Sequence, residues 1–206
     1  MRRLCGALFA AWIGVVAVPA SGVAASVGSA ATQVVTTAPV DANGHLLPGY
    51  RVVKHIPGAK CTPRSVVTGN AYKCVSHFTY DPCWLSGNRA YVDCITSPYS
   101  RRITRLHVTR GYHNRGGLGA AKKLPWGLQL TNGVKTTLIP GDFGDVHGLK
   151  IHYSYNNFKV VLVGNPDKSG SLWRIQKAKD VGGFHYKVVG WVTISKAWYG
   201  APTHLG

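Results

Sequence analysis

Leu128-Gln129-Leu130-Thr131-Asn132-Gly133-Val134-Lys135-Thr136-Thr137-Leu138 reads as two short strands around a tight reversal. Side chains alternate across an extended chain, so Leu128 and Leu130 share one side and Gln129 takes the other. Asn-Gly tolerates positive φ at both turn positions, and the chain is therefore expected to fold back there as a hairpin. The same grammar recurs downstream. Ile151, Tyr153 and Tyr155 are expected on one face of a strand, Asn156-Asn157 turns the chain, and Phe158, Val160 and Leu162 return on the next. Gly164-Asn165-Pro166-Asp167 reads as a further turn, before a short run carrying Leu172, Trp173 and Ile175. A last long run, Phe184–Ser195, is interrupted by Gly190, which marks a bulge.

No window of helical length shows a capped apolar period, and Leu118–Lys123 offers one helical turn at most. Short β-branched and aromatic runs between turn residues predict an all-β chain, a single small disulfide-stapled β-sandwich or barrel-like domain with little helix. Trp84, Trp173, Trp191 and Trp198 fall in strand-like apolar patterns and are expected in the core.

Upstream, Arg2 and Arg3 precede the apolar stretch Leu4–Val18, and Pro19 and Gly22 break it before small residues. This is the pattern of a secretory signal, with Val23-Ala24-Ala25 the better cleavage site and Ala30-Ala31 the second. The expected organisation is a signal peptide at 1–25, a flexible lead-in at 26–48 that adds one strand near Gln33–Thr37, and a β-rich domain at 49–206. The apolar run is too short for a membrane anchor, and the product is expected to be secreted or associated with the cell wall. Loss of Cys5 with the signal leaves Cys61, Cys74, Cys83 and Cys94, an even set suited to two disulfides in an oxidising compartment. Three pairings exist. Cys61–Cys74 and Cys83–Cys94 are favoured because each closes a short loop between neighbouring strands. A zinc site lacks any C-x-x-C pair, and no metal or other cofactor is expected.

The chain carries 24 Lys and Arg against 7 acids, all of them Asp. Removing Arg2 and Arg3 with the signal lowers the formal charge from +17 to +15. A field of that sign attracts polyanions, here a cell-wall polymer or extracellular nucleic acid. Between Asp93 and Asp142 the sequence holds Arg101, Arg102, Arg105, Arg110, Arg115, Lys122, Lys123 and Lys135 and no acid. The first seven are the candidate polyanion-binding residues, since guanidinium forks match phosphate and carboxylate. If Thr104–Thr109 is a strand, Leu106 and Val108 face the core while Arg105 and His107 face out. Tyr99, Tyr112 and Trp126 lie among these charges and offer stacking surfaces. The simpler alternative is a solvated basic face over core aromatics.

A second cluster, Asp142-Phe143-Gly144-Asp145-Val146-His147 with His152 beyond it, assembles carboxylates and imidazoles. Asp142, Asp145 and His147 are the candidate catalytic residues of a secreted hydrolase, with or without a metal. The competing reading is turn chemistry at Gly141-Asp142 and Gly144-Asp145, with a solvated His152. No G-x-S-x-G is present, and oxidised cysteines cannot act as nucleophiles. Whether the chain is an enzyme stays open, and a secreted inhibitor or antimicrobial protein is a third reading. The leading expectation is a non-catalytic exported protein that binds anionic polymers.

Ala71-Tyr72-Lys73-Cys74, Asp81-Pro82-Cys83-Trp84, Val92-Asp93-Cys94 and Pro125-Trp126-Gly127-Leu128-Gln129-Leu130 with Asn132-Gly133 follow one another in an order that resembles a set of actinobacterial secreted proteins without assigned function. Their pattern is A-Y-R-C, D-P-C-F, a single Cys, P-W-x-L-x-L-x-x-G, then Y-x-C and L-x-G-x-P-D…W, the last matched by Gly164-Asn165-Pro166-Asp167 and Trp173. The resemblance covers about residues 58–175. Lys73 replaces the Arg and Trp84 the Phe, and Thr136 or Thr137 and Tyr155 stand where a later cysteine pair would be, which removes a third disulfide. The resemblance implies secretion and a β-rich fold and supplies no activity.

Overall fold

The computed structural model describes residues 31–63, 65–69, 71–110 and 124–201. Among them there is no helix, and the chain is all-β, as expected. The proposed signal peptide, the single turn at Leu118–Lys123 and Tyr112 lie outside the described residues.

The strands are β1 (Gln33–Thr37), β2 (Arg51–Thr62), β3 (Tyr72–Val75), β4 (Thr79–Leu85), β5 (Tyr91–Cys94) and β6 (Arg102–Arg110). They continue as β7 (Gly127–Leu130), β8 (Lys135–Leu138), β9 (Asp145–Val146), β10 (Leu149–Tyr155), β11 (Val160–Asp167), β12 (Trp173–Asp180) and β13 (Tyr186–Gly200). Strands β2 to β6 close a five-stranded barrel. Its neighbours pair antiparallel in sequence order, so the first and last strands point the same way, and β2 and β6 meet in parallel. Strands β7, β8, β10, β11, β12 and β13 form a second ring, closed by antiparallel pairing of β13 with β7. Of the two all-β architectures the sequence left open, the barrel is the one found. Closure leaves fewer open strand edges, a source of aggregation in sheets.

Each ring has its own filling. Ile56, Ala59, Tyr80, Val92, Leu106 and the four cysteines pack together in the five-stranded barrel. The disulfides are Cys61–Cys74 and Cys83–Cys94. Both join residues directly opposite on neighbouring strands, β2 to β3 and β4 to β5. Leu128, Leu130, Leu138, Tyr153, Leu162, Ile175 and Ile194 come from the second ring, and the same cluster takes in Trp84, Ile95 and Ile103 from the first. Trp84 and Trp126, with ring centroids 5.6 Å apart, form the seam between the barrels. A third cluster, Val146, Ile151, Val161, Val163 and Ala178, takes in the short strand β9, which pairs antiparallel with the start of β10.

Several local expectations change. The 128–138 hairpin is present, but its loop is Thr131-Asn132-Gly133, with Leu130 and Val134 bonded across it and Gly133 alone of the three at positive φ (84°). A three-residue loop with a left-handed last position replaces the two-residue turn. Ile151 and Tyr153 do not share a face: the pairing slips between them, sending Ile151 to the outer cluster and Tyr153 to the inner one. Gly164-Asn165-Pro166-Asp167 lies within β11 as an irregularity, not a turn, and the chain reverses after it. Phe158 sits in the 156–159 turn, not on the return strand. Gly190 does mark a bulge, with Val189 the extra residue opposite Lys177 and Ala178. The strand expected near Gln33–Thr37 is present as β1, which pairs in parallel with β13, whereas residues 38–48, assigned on composition to a flexible lead-in, supply the buried Ala38 and Val40. Their lack of charge fits burial as well as it fits a linker. Trp191 is 49% exposed, unlike the buried Trp84.

Candidate functional site

The parallel register of β2 and β6 decides where the basic side chains stand. Arg51 lies beside Arg102 and Lys60 beside Arg110, with all four exposed. Lys54, also exposed, lies beside Thr104. Neither strand contains an acid. Like charges set directly opposite on one face repel, so the pairs are a local cost to the fold that an anion spanning both strands would relieve. Arg101, next to β6, holds its guanidinium 4.4 Å from the centroid of the Tyr50 ring. That contact presents a planar fork on a fixed aromatic support.

On the same barrel His55, Ile56, Pro57, Tyr91 and His107 line a shallow depression. The Tyr91 and His107 rings lie 5.3 Å apart, and His107 Nδ1 is 3.2 Å from the Pro57 carbonyl oxygen. A carbonyl only accepts, so Nδ1 is the donor in this contact. The alternation across 105–108 places Leu106 in the core and His107 outside, as the sequence indicated.

Arg105 departs from its expected role. Its Nε and Nη2 donate to the two carboxylate oxygens of Asp93 at 2.7 and 2.8 Å, and Asp93 is fully buried. The guanidinium is committed to the fold and is unavailable as a free polyanion contact. Arg101, Arg102 and Arg110 remain exposed, while Arg115, Lys122 and Lys123 lie outside the described residues. Trp126 is fully buried and offers no stacking surface. Tyr99 donates its hydroxyl to the Leu128 carbonyl oxygen at 2.8 Å, and burial raises its pKa. Sequence reasoning missed Arg51, Lys54 and Lys60 because they lie some fifty residues before β6.

The acidic cluster resolves into turns. Asp142 accepts from the Gly144 amide at 3.1 Å and from Lys150 Nζ at 3.2 Å, and these donors hold its pKa low. Asp145 accepts from the Gly148 amide at 3.1 Å. His147 lines an open depression with Asp145, Phe184 and His185, and its φ of 51° belongs to the tight turn it closes. His152 is half-buried, and burial, helped by the charge of Lys150, lowers its pKa. Asp142, Asp145 and His147 are not brought together as a metal-ligand set. Among the described residues the only close group of three metal-type side chains is Cys74, Cys83 and Cys94, all in disulfides.

No family model, curated protein or solved structure matches the chain. No helix among the described residues is long and apolar enough to cross a membrane. The two disulfides are consistent with an extracellular location.

Proposed function

We propose that the chain is an exported, non-catalytic binding protein that holds anionic polymers of the cell envelope or its surroundings on the β2–β6 face. The observation that carries this reading is the register that sets Arg51 beside Arg102 and Lys60 beside Arg110 with no acid on either strand. A polymer with phosphates or carboxylates at regular spacing neutralises both rows at once and releases its condensed counterions. Arg102 and Arg110 stand on β6 and Arg51, Lys54 and Lys60 on β2, with Arg101 just before β6 and a depression lined by His55, Tyr91 and His107 on the same barrel. Residues 1–25 act as the cleaved signal that delivers the chain to this compartment. The order of its cysteine and tryptophan motifs supports a kinship with the actinobacterial secreted proteins that it resembles.

Retention of the processed protein on purified cell walls and on immobilised DNA, at roughly 0.15 M and at 1 M salt, tests the reading. Binding that is released at high salt and lost on replacing Arg51, Arg102 and Arg110 with Ser supports it, and the preferred matrix identifies the polymer. No retention on either matrix refutes it.

A further inference from the structure

The hairpin that joins β12 to β13 ends in apolar side chains facing water. Val181 is 68% exposed and Phe184 67% exposed. The turn is well built: Asp180 accepts from the Gly182 amide at 2.9 Å, Val181 donates to the His185 carbonyl at 2.7 Å, and His185 donates to that of Gly182. Phe184 has φ of 62°, a region that a bulky residue enters only at a cost. The fold thus holds a large ring outward in an unfavourable backbone state, and strain of this kind collects at functional sites. Phe143, partly exposed, lines the same depression as Phe184 and stacks on Phe158 at 4.8 Å. Phe158 is also at positive φ (63°).

Directly behind the tip, Lys179 of β12 stands opposite Lys187 of β13, both exposed. Lys177 and Lys159 flank them. The acids at this end are Asp180, Asp145 and Asp142, the last bound to Lys150. Lys179 is two residues before Val181, about 7 Å along the strand at a strand rise of ~3.3 Å per residue. That offset fits an apolar group seated about 5–10 Å into a bilayer boundary, with the ammonium groups level with the phosphates.

The geometry points to this hairpin as a membrane-surface anchor, with Val181 and Phe184 entering an anionic lipid bilayer and Lys179 and Lys187 meeting its headgroups. A second copy of the chain is a poorer occupant. A stable interface buries about 800 Å² per partner, and two side chains on a narrow turn fall well short of that. The repelling Lys179–Lys187 pair also calls for negative charge opposite it.

The test is co-sedimentation of the processed protein with vesicles. Vesicles of phosphatidylglycerol and phosphatidylcholine in equal parts are compared with pure phosphatidylcholine. The wild type is expected to pellet with the anionic vesicles only. Val181→Ser with Phe184→Ser should weaken binding at least about tenfold, and Lys179→Ser with Lys187→Ser by a similar factor. A Phe184→Trp variant should be quenched by lipids brominated on their acyl chains. The Val181/Phe184 double variant should keep its retention on the polymer matrices, which separates this element from the polymer face. Vesicle binding that is unchanged in the Val181/Phe184 variant, or a self-association of the wild type that this variant abolishes, would overturn the inference.

Discussion

Asp81 and Asp93 are both buried, but Asp93 faces a guanidinium whereas Asp81 faces the Ser65 hydroxyl and, at 3.3 Å, the Val66 amide. Burial outweighs these two donors and the charge of Lys73, pushing the pKa of Asp81 up to about 6 from an ordinary 3.8. Between those values the folded state keeps a proton that the unfolded state has released, so stability falls as pH rises through the window and levels off above it. Denaturant unfolding from about pH 4 to about pH 7 should show this group costing up to about 3 kcal/mol. Asp81→Asn should remove that slope. His152, lowered by burial, tilts the same window the other way, so the wild-type minus variant difference is the readout. Arg105→Ala strands the buried Asp93 carboxylate and should cost about 3–5 kcal/mol, whereas Arg102→Ser should stay within ~0.5 kcal/mol. Equal losses in the two variants would contradict the distinction drawn between a structural and an available arginine.

At the level of strands and turns, glycines report which loops are tied down. Gly44 has φ of 81°, and a Cβ there would lie 2.6 Å from the Gly87 amide nitrogen. Gly133 has a similar φ of 84°, with nothing within 4 Å of its Cβ position. Gly133→Ala should therefore cost about 1 kcal/mol for conformation alone. Gly44→Ala should cost clearly more in the same unfolding assay, because backbone of the β4–β5 loop would have to move. Hairpins were the most legible part of the sequence: Asn132-Gly133, Asn156-Asn157 and the Gly190 bulge all fall where turn chemistry placed them. Strand phase was less legible. One slip between Ile151 and Tyr153 re-aims half a strand, and Pro166 fits inside β11 because the ladder is already irregular there. Each depends on the partner strand, which a local pattern does not contain.

Across the whole molecule, two rings of strands share the Trp84–Trp126 seam, and both disulfides staple the ring that carries the basic face. Each closes a short loop, and removing the Cys83–Cys94 bond as a Cys83→Ser/Cys94→Ser pair should lower stability by about 3 kcal/mol. Charge balance and cysteine count were readable from composition. The site was not, because Arg51, Lys54 and Lys60 reach Arg102 and Arg110 only through barrel closure. Arg105, the most central arginine of the basic run, is consumed by Asp93 for an equally non-local reason. The most direct test is the salt dependence of binding to labelled double-stranded DNA and to purified teichoic acid, wild type against the Arg51, Arg102 and Arg110 to Ser variant. The account predicts a steep fall of log K with log salt in the wild type, with a slope shallower by about 2–3 for the variant on the preferred polymer. Identical slopes and affinities for the two proteins would contradict it and show that the β2–β6 face does not hold the polymer.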